Sequence, residues 1–205
     1  MSERLWMADL FSGTGSASEP FLRRGWDVER VDIMDGKDVR DWIPSEKFAF
    51  VWASPPCESF SVASFGTHWA GGKKAYVPAT KQAEDAIDLV RITLDKIRAC
   101  SPAFWTVENP RGMLRKIIGA PTIGTTWWCQ WGDERAKPTD LWGRIPDSML
   151  PLPTCKNGNP DHASAPRGAK TGTQGRKGLD RARIPERFAR TLAIEIEKTL
   201  LFPEP

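Results

Sequence analysis

A chain of 205 residues suffices for one compact domain with a small appendage, and shares of 40% hydrophobic and 27% charged residues describe an ordinary globular protein, not a fibrous or disordered one. No run approaches transmembrane length, and the strand-like start MSERLWMADLF leaves no room for a secretory leader, so a cytoplasmic protein with no membrane partner is expected. The net charge of +3 is unevenly placed: residues 151–190 carry nine basic and three acidic side chains, making that stretch +6 and the remainder −3, a balance that suits a polyanion partner.

Leu5–Phe11 reads as a first strand. It leads into Asp9-Leu10-Phe11-Ser12-Gly13-Thr14-Gly15 and a short helix toward Arg24. Gly13 and Gly15 let the backbone turn tightly, so that a ligand can approach. A dinucleotide fingerprint wants a third glycine where Ser18 stands, which argues against a nicotinamide cofactor. Asp27–Ile33 gives a second strand ending in Asp32, placed to accept hydrogen bonds from ribose hydroxyls. Asp38-Val39 reads as a third strand end. Phe48–Ala53 is a fourth strand, stopped by Pro55-Pro56, which sets Cys57 at the edge of the sheet where open α/β folds bind ligands.

Residues 59–80 read as a long loop with Gly66, Gly71, Gly72, Lys73 and Lys74, of the kind that forms a lid, and Trp69 within it suits base stacking. Ala83, Ala86, Ile87, Val90, Leu94 and Ile97 fall at helical spacing over Thr80–Ala99. Ala103–Val107 is a fifth strand, ending at Glu108-Asn109-Pro110. If the strands bearing Cys57 and Glu108 are parallel neighbours, about 4.8 Å apart, both groups reach one small ring. Trp127–Trp142 reads as strand, turn, strand. Pro146–Gly178 is loop-like, and Pro185–Leu200 is a closing helix with Phe188, Ala189, Leu192, Ala193, Ile196 and Leu200 on one face. The four cysteines, Cys57, Cys100, Cys129 and Cys155, form no C-x-x-C pair and are expected as free thiols. With His68 and His162 they lack the paired spacing of a zinc site, so no metal is expected.

D-L-F-S-G-T-G, then P-P-C-E-S-F-S, then E-N-P, on successive strand ends, resembles the DNA cytosine-5 methyltransferases over roughly residues 5–145 and again at Ile184–Leu200. K-P-T-D-L-W and R-A-R-I-P resemble the compact, often phage-borne members. The resemblance implies an α/β, Rossmann-like fold with a mostly parallel sheet and helices on both faces. It also implies S-adenosylmethionine as cofactor and duplex DNA, with a flipped cytosine, as substrate. Phe11, Gly13 and Gly15 would border the methionine part, with Asp9, Ser12, Thr14 and Pro55 around it. Asp32 and Ile33 would hold the ribose, Asp38 and Val39 would meet the adenine, Cys57 would be the nucleophile and Glu108 the partner of the base. Aligning Trp131-Gly132 with the family's Tyr-Gly puts Arg135, Lys137 and Thr139 where the family has Gln-x-Arg-x-Arg, so Lys137 keeps one positive charge near the base as a point charge. Pro55 and Glu58 replace the family's Phe and Gln.

The expected organisation is a catalytic region at 1–143, a short basic recognition segment at 144–183 and a helix at 184–205 packing back, in a monomer. Ser59, Ser61, Lys73, Lys74, Arg167, Lys170, Arg176 and Lys177 are the expected DNA contacts, with a short recognition context because so little chain remains to read base edges. The thiol of Cys57 must ionise to react, and a helix N-terminus or a nearby Lys or Arg would lower its pKa. S-P-P-C also resembles the S-P-P-Tyr element of amino-methyltransferases, but cysteine cannot stack on a base. RNA or a free cytosine nucleotide is the alternative acceptor, and a silent cofactor- and DNA-binding module is the reading from another class.

Overall fold

The computed structural model describes residues 4–72, 76–119, 121–134, 136–156, 158–160, 162 and 178–202. In chain order the first half holds β1 (Trp6–Leu10), α1 (Glu19–Leu22), β2 (Asp27–Val31), β3 (Phe48–Ala53), α2 (Phe65–His68), β4 (Trp69–Ala70), β5 (Val77–Pro78) and α3 (Lys81–Cys100). The second half holds β6 (Phe104–Pro110), α4 (Leu114–Ile117), β7 (Gly124–Trp127), β8 (Pro138–Arg144), α5 (Gly178–Ala182) and α6 (Glu186–Leu201).

Side chains alternate across a strand, and here both sets are apolar. Met7, Phe50 and Trp52 join one core, while Ala8, Leu10, Val51 and Ala53 join the other. Such strands must be covered on both sides. α6 closes the first face, where Phe188 packs against the rings of Trp52, Trp128 and Trp131 with centroids 6.1, 5.1 and 5.1 Å away. α3 closes the second with Ala83, Ile87, Val90 and Ile97, and its first turn is capped by Thr80, whose Oγ1 accepts the Ala83 N–H at 3.3 Å.

The sheet runs β2-β1-β3-β6-β8-β7. The first four strands are parallel and β8 is antiparallel to both β6 and β7. The fold is thus Rossmann-like α/β, as expected; β7 and β8 close its far edge, with β7 ending at Trp127, where the sequence pattern has a strand begin, and Trp128–Trp131 forming a 3₁₀ turn. Among the described residues no helix is long and apolar enough to cross a membrane.

Two expectations change. Asp38-Val39 forms a turn, because the Asp38 carboxylate takes the Arg40 N–H at 2.8 Å and the Asp38 carbonyl takes the Trp42 N–H at 3.0 Å. The described part of residues 59–80 is not open loop. It folds into a 3₁₀ turn (Val62–Ser64), α2 and the β4–β5 ladder. Trp69 is buried, packs on Phe60 and donates its indole N–H to the Ser59 carbonyl at 2.7 Å, so it is a structural residue and no stacking platform.

Candidate active site

β3 and β6 are hydrogen-bonded parallel neighbours, with Ala53 opposite Val107. Cys57 and Glu108 therefore leave the same sheet edge side by side, as the two proline stops anticipate. Asn109 is fully buried and donates from Nδ2 to the Pro55 carbonyl at 2.9 Å, bracing the Pro-Pro-Cys corner. A second tie runs from the Met113 N–H to the Phe60 carbonyl at 2.7 Å. Gly112 makes that approach possible, since a Cβ there would sit 2.2 Å from the Phe60 oxygen.

Glu108 is buried, and the Lys137 Nζ lies 3.9 Å from its Oε1. Lys137 is held there by donating to the Arg181 carbonyl at 2.9 Å. Burial pushes the Glu108 carboxyl above its ordinary range, while Lys137 and the neighbouring Ser54 hydroxyl pull it back. The net direction is upward.

Burial also raises the Cys57 thiol, and the Glu108 charge raises it further; Lys137 and Arg181 act the other way but are outweighed. A nearby Lys and Arg do pull the thiol down, but desolvation at this corner exceeds their pull, and residues 58–60 form a turn instead of a helix N-terminus.

On the neighbouring strand tips lies the glycine turn. Phe11, Gly13 and Gly15 take φ values of 60°, 48° and 69°, left-handed backbone that glycine adopts freely and Phe11 adopts at a strain. Asp32 closes the turn by accepting the Gly13 N–H at 2.8 Å and the Met34 N–H at 2.9 Å. Arg30 supports it from behind, donating to Ser18 Oγ at 3.0 Å and packing so tightly that a Cβ at Gly15 would lie 2.5 Å from the guanidinium.

The residues present fit a nucleoside-bearing cofactor. Gly13 and Thr14 are exposed, a Cβ on Gly13 would meet nothing closer than the Phe11 carbonyl at 4.0 Å, and Ser12 Oγ is buried with no hydrogen-bond partner among the described residues. Ile33 is 70% exposed beside Asp32, and Val39 is buried next to the half-buried Asp38. Asp9 differs from its expected place. It is fully buried beneath the turn, near Ser18 and Arg30, and burial raises its carboxyl to about 6, so it supports the turn instead of touching a ligand.

Among the expected nucleic-acid contacts, Ser59 is corrected. It is 2% exposed, its carbonyl accepts from Ser64 Oγ and Trp69, and it is thus an internal brace of the corner. Ser61 remains half-exposed. Arg135, Lys73, Lys74, Arg167, Lys170, Arg176 and Lys177 lie outside the described residues.

Three participants were not singled out from the sequence. Ser54 bridges Trp52 and Glu108, Arg181 places Lys137 and adds positive charge near Cys57, and Arg30 holds the glycine turn. The first two carried a signal, as the Ser of S-P-P-C and the first Arg of R-A-R-I-P. The Ile184 N–H donates to Ser16 Oγ at 2.9 Å, which ties the entry to α6 onto the glycine turn. Beside it lies a cleft of about 1260 Å³, lined by Thr14, Trp131, Arg183 and Arg187 among others but not by Cys57.

No protein-family model matches the chain. A frog virus 3 (isolate Goorha) protein named "Probable DNA (cytosine-5)-methyltransferase" is 29% identical over 210 residues, covering 92% of this chain and 96% of its own. Two solved structures are similar at lower identity. One is an E. coli prophage-encoded protein assigned as a DNA modification methyltransferase, 15% identical with a TM-score of 0.49 over 74% of this chain and 52% of that one. The other is a triple mutant of Spodoptera frugiperda DNMT2, 12% identical with a TM-score of 0.39 over 78% of this chain and 57% of that one. The chain therefore spans little more than half the length of each solved structure. The match to the viral protein runs nearly end to end, and the glycine turn, the cysteine corner and the Glu-Asn-Pro strand end share one sheet edge; the chain is thus similar over almost its whole length to a protein named as a probable DNA (cytosine-5)-methyltransferase.

Proposed function

We propose that the protein is an enzyme that transfers a methyl group from S-adenosylmethionine to carbon 5 of a cytosine in DNA, through a covalent adduct of Cys57. One observation carries this reading: a cysteine and a buried acid stand on adjacent parallel strand tips, next to a glycine turn two strands wide. In this reading Phe11, Ser12, Gly13, Thr14 and Gly15 border the cofactor, Asp32 and Ile33 meet its ribose, and Asp38 and Val39 meet its adenine. The bound cofactor supplies an electrophilic methyl group, and all other chemistry falls to the protein.

Carbon 5 of cytosine is a poor nucleophile until the ring is activated. The Cys57 thiolate makes a bond to carbon 6, and the π pair shifts onto carbon 5. Glu108 delivers its proton to ring nitrogen 3, so that negative charge does not build up on the ring. Raising the Glu108 carboxyl by burial keeps that proton available, and Lys137 limits the rise. Once carbon 5 carries the methyl group, loss of its proton to a base and return of the nitrogen 3 proton to Glu108 restore the double bond and expel the Cys57 thiolate. A cytosine stacked in a duplex cannot reach such a corner, so the target must be extruded. The basic residues Arg167, Lys170, Arg176 and Lys177, with Lys73 and Lys74, are assigned to phosphates, which makes binding salt-dependent.

Incubation with methyl-labelled S-adenosylmethionine and duplex DNA, followed by nucleoside analysis, tests the reading. Label in 5-methyldeoxycytidine is expected. Cys57→Ala is expected to form none while still binding the cofactor by calorimetry. Methylation by Cys57→Ala, or label on an exocyclic nitrogen, would overturn the mechanism. Duplex DNA, transfer RNA and deoxycytidine triphosphate compared as acceptors fix the substrate.

A further inference from the structure

Away from the catalytic corner the fold gathers three metal-ligating side chains, Cys129 from one segment and Cys155 and His162 from another. Cys129 stands in the 3₁₀ turn Trp128–Trp131 that follows β7. Cys155 and His162 lie on the chain beyond β8. The two sulfurs and the imidazole nitrogen are all within 4.8 Å of one another, and Cys155 Sγ is 3.6 Å from His162 Nδ1.

These spacings can be compared with what a tetrahedral ion demands. Zinc bound at about 2.3 Å to sulfur and about 2.0 Å to nitrogen, with tetrahedral angles, sets a sulfur–nitrogen edge of about 3.5 Å and a sulfur–sulfur edge of about 3.8 Å. The observed Cys155–His162 edge of 3.6 Å matches, and the other two lie within 4.8 Å. Burial suits a structural site: His162 is 8% exposed and both cysteines are half-buried.

The surroundings also suit bound thiolates. Asn159 Nδ2 points a donor at Cys155 Sγ from 3.2 Å, and Gln130 Nε2 approaches Cys129 Sγ at 4.0 Å, N–H groups of the kind that orient thiolate ligands around a metal. The backbone is pre-positioned, since the Pro153 carbonyl accepts both the Trp127 N–H at 3.3 Å and the Thr126 hydroxyl at 3.1 Å. Cys155 is thereby held against the β7 edge before any ion binds.

We infer that Cys129, Cys155 and His162 form a binding site for a tetrahedral divalent ion, zinc first, whose fourth position is filled by water or a further donor. The site clamps the chain onto the edge of the sheet at the point where the basic stretch after Cys155 begins. It requires nothing of the methyl-transfer reading.

The full-length protein, purified without chelator and with its thiols reduced, is expected to carry about one zinc per chain by elemental analysis. Cobalt(II) added to the apo-protein is expected to give the intense bands of a tetrahedral thiolate site. Cys129→Ser, Cys155→Ser and His162→Ala are each expected to weaken the metal at least tenfold, whereas Cys100→Ser keeps it. The inference is overturned by an octahedral cobalt spectrum in the wild-type protein, which needs no variant to fold. It is equally overturned if both cysteine variants retain zinc, or if Cys129 and Cys155 are found joined as a disulfide in the reduced preparation.

Discussion

Replacing Arg115 by Met should destabilise the protein by an amount that the structure lets one estimate. Asp140 is fully buried in the middle of β8, opposite Asn109 of β6 on one side and Thr125 of β7 on the other. Its carboxylate is satisfied by Arg115, through Nε to Oδ2 at 2.9 Å and Nη2 to Oδ1, and by the Thr125 hydroxyl at 2.7 Å. Removing one partner of a buried pair costs about 3–5 kcal/mol, because the remaining charge stays desolvated. The Arg115 side chain is 34% exposed, which admits water and places the loss near the lower end, about 3 kcal/mol. With a urea slope of about 2–3 kcal/mol per molar, the unfolding midpoint should fall by about 1–1.5 M, and Tm by about 6–12 °C. Tryptophan fluorescence follows the transition, since Trp52, Trp128 and Trp142 are buried in the two cores. The double variant Arg115→Met/Asp140→Leu, which removes both charges, should recover at least half of the loss. If the single variant loses less than about 1 kcal/mol, or if the double variant is no better than the single one, the buried-charge argument is refuted.

Two further predictions concern titrating groups. In the pH range where Glu108 is ionised its charge raises the Cys57 thiol, so there Glu108→Gln should increase the thiolate fraction and speed alkylation of Cys57 by iodoacetamide, read by intact mass across a pH series, while methyl transfer is lost; slower alkylation across the whole series would contradict the electrostatics drawn here. Asp9 is raised from 3.8 to about 6 in the folded protein, so the native state holds its proton more tightly than the unfolded chain does. Its stabilising contribution is complete below pH 3.8 and is lost as pH rises through 6, about 3 kcal/mol in all. Urea midpoints of wild type and Asp9→Asn should therefore diverge between pH 4 and 7, wild type weakening relative to the variant, and parallel curves would rule this out.

Much of the candidate site was readable because its chemistry is written over a few residues at a time. A strand followed by Phe-Ser-Gly-Thr-Gly must turn there, and a strand followed by Pro-Pro must stop there. The side chains left at those stops, Cys57 and Glu108, then project from one edge of any parallel sheet that pairs the two strands, and β3 and β6 do pair. The long helices were equally plain, since the apolar spacing over Thr80–Ala99 and Pro185–Leu200 and the Thr80 cap are local features.

The remainder depends on partners that no local pattern names. Ser59 and Trp69 sit in a polar, glycine-rich stretch, yet they are buried because Phe60, Ser64 and Gln82 close around them. Arg181 approaches Cys57 from a short helix more than a hundred residues downstream. The rise of the Cys57 thiol is the sum of burial, one carboxylate and two cations, and only their final distances give that sum its sign. Cys129, Cys155 and His162 lack zinc spacing along the chain and acquire it in space. Sequence alone determined the strand ends and the reactive groups they carry, because backbone stereochemistry acts between neighbours. Tertiary structure alone decided which groups are desolvated and which charges face them, because solvation and Coulomb energy depend on distance through space and are indifferent to distance along the chain.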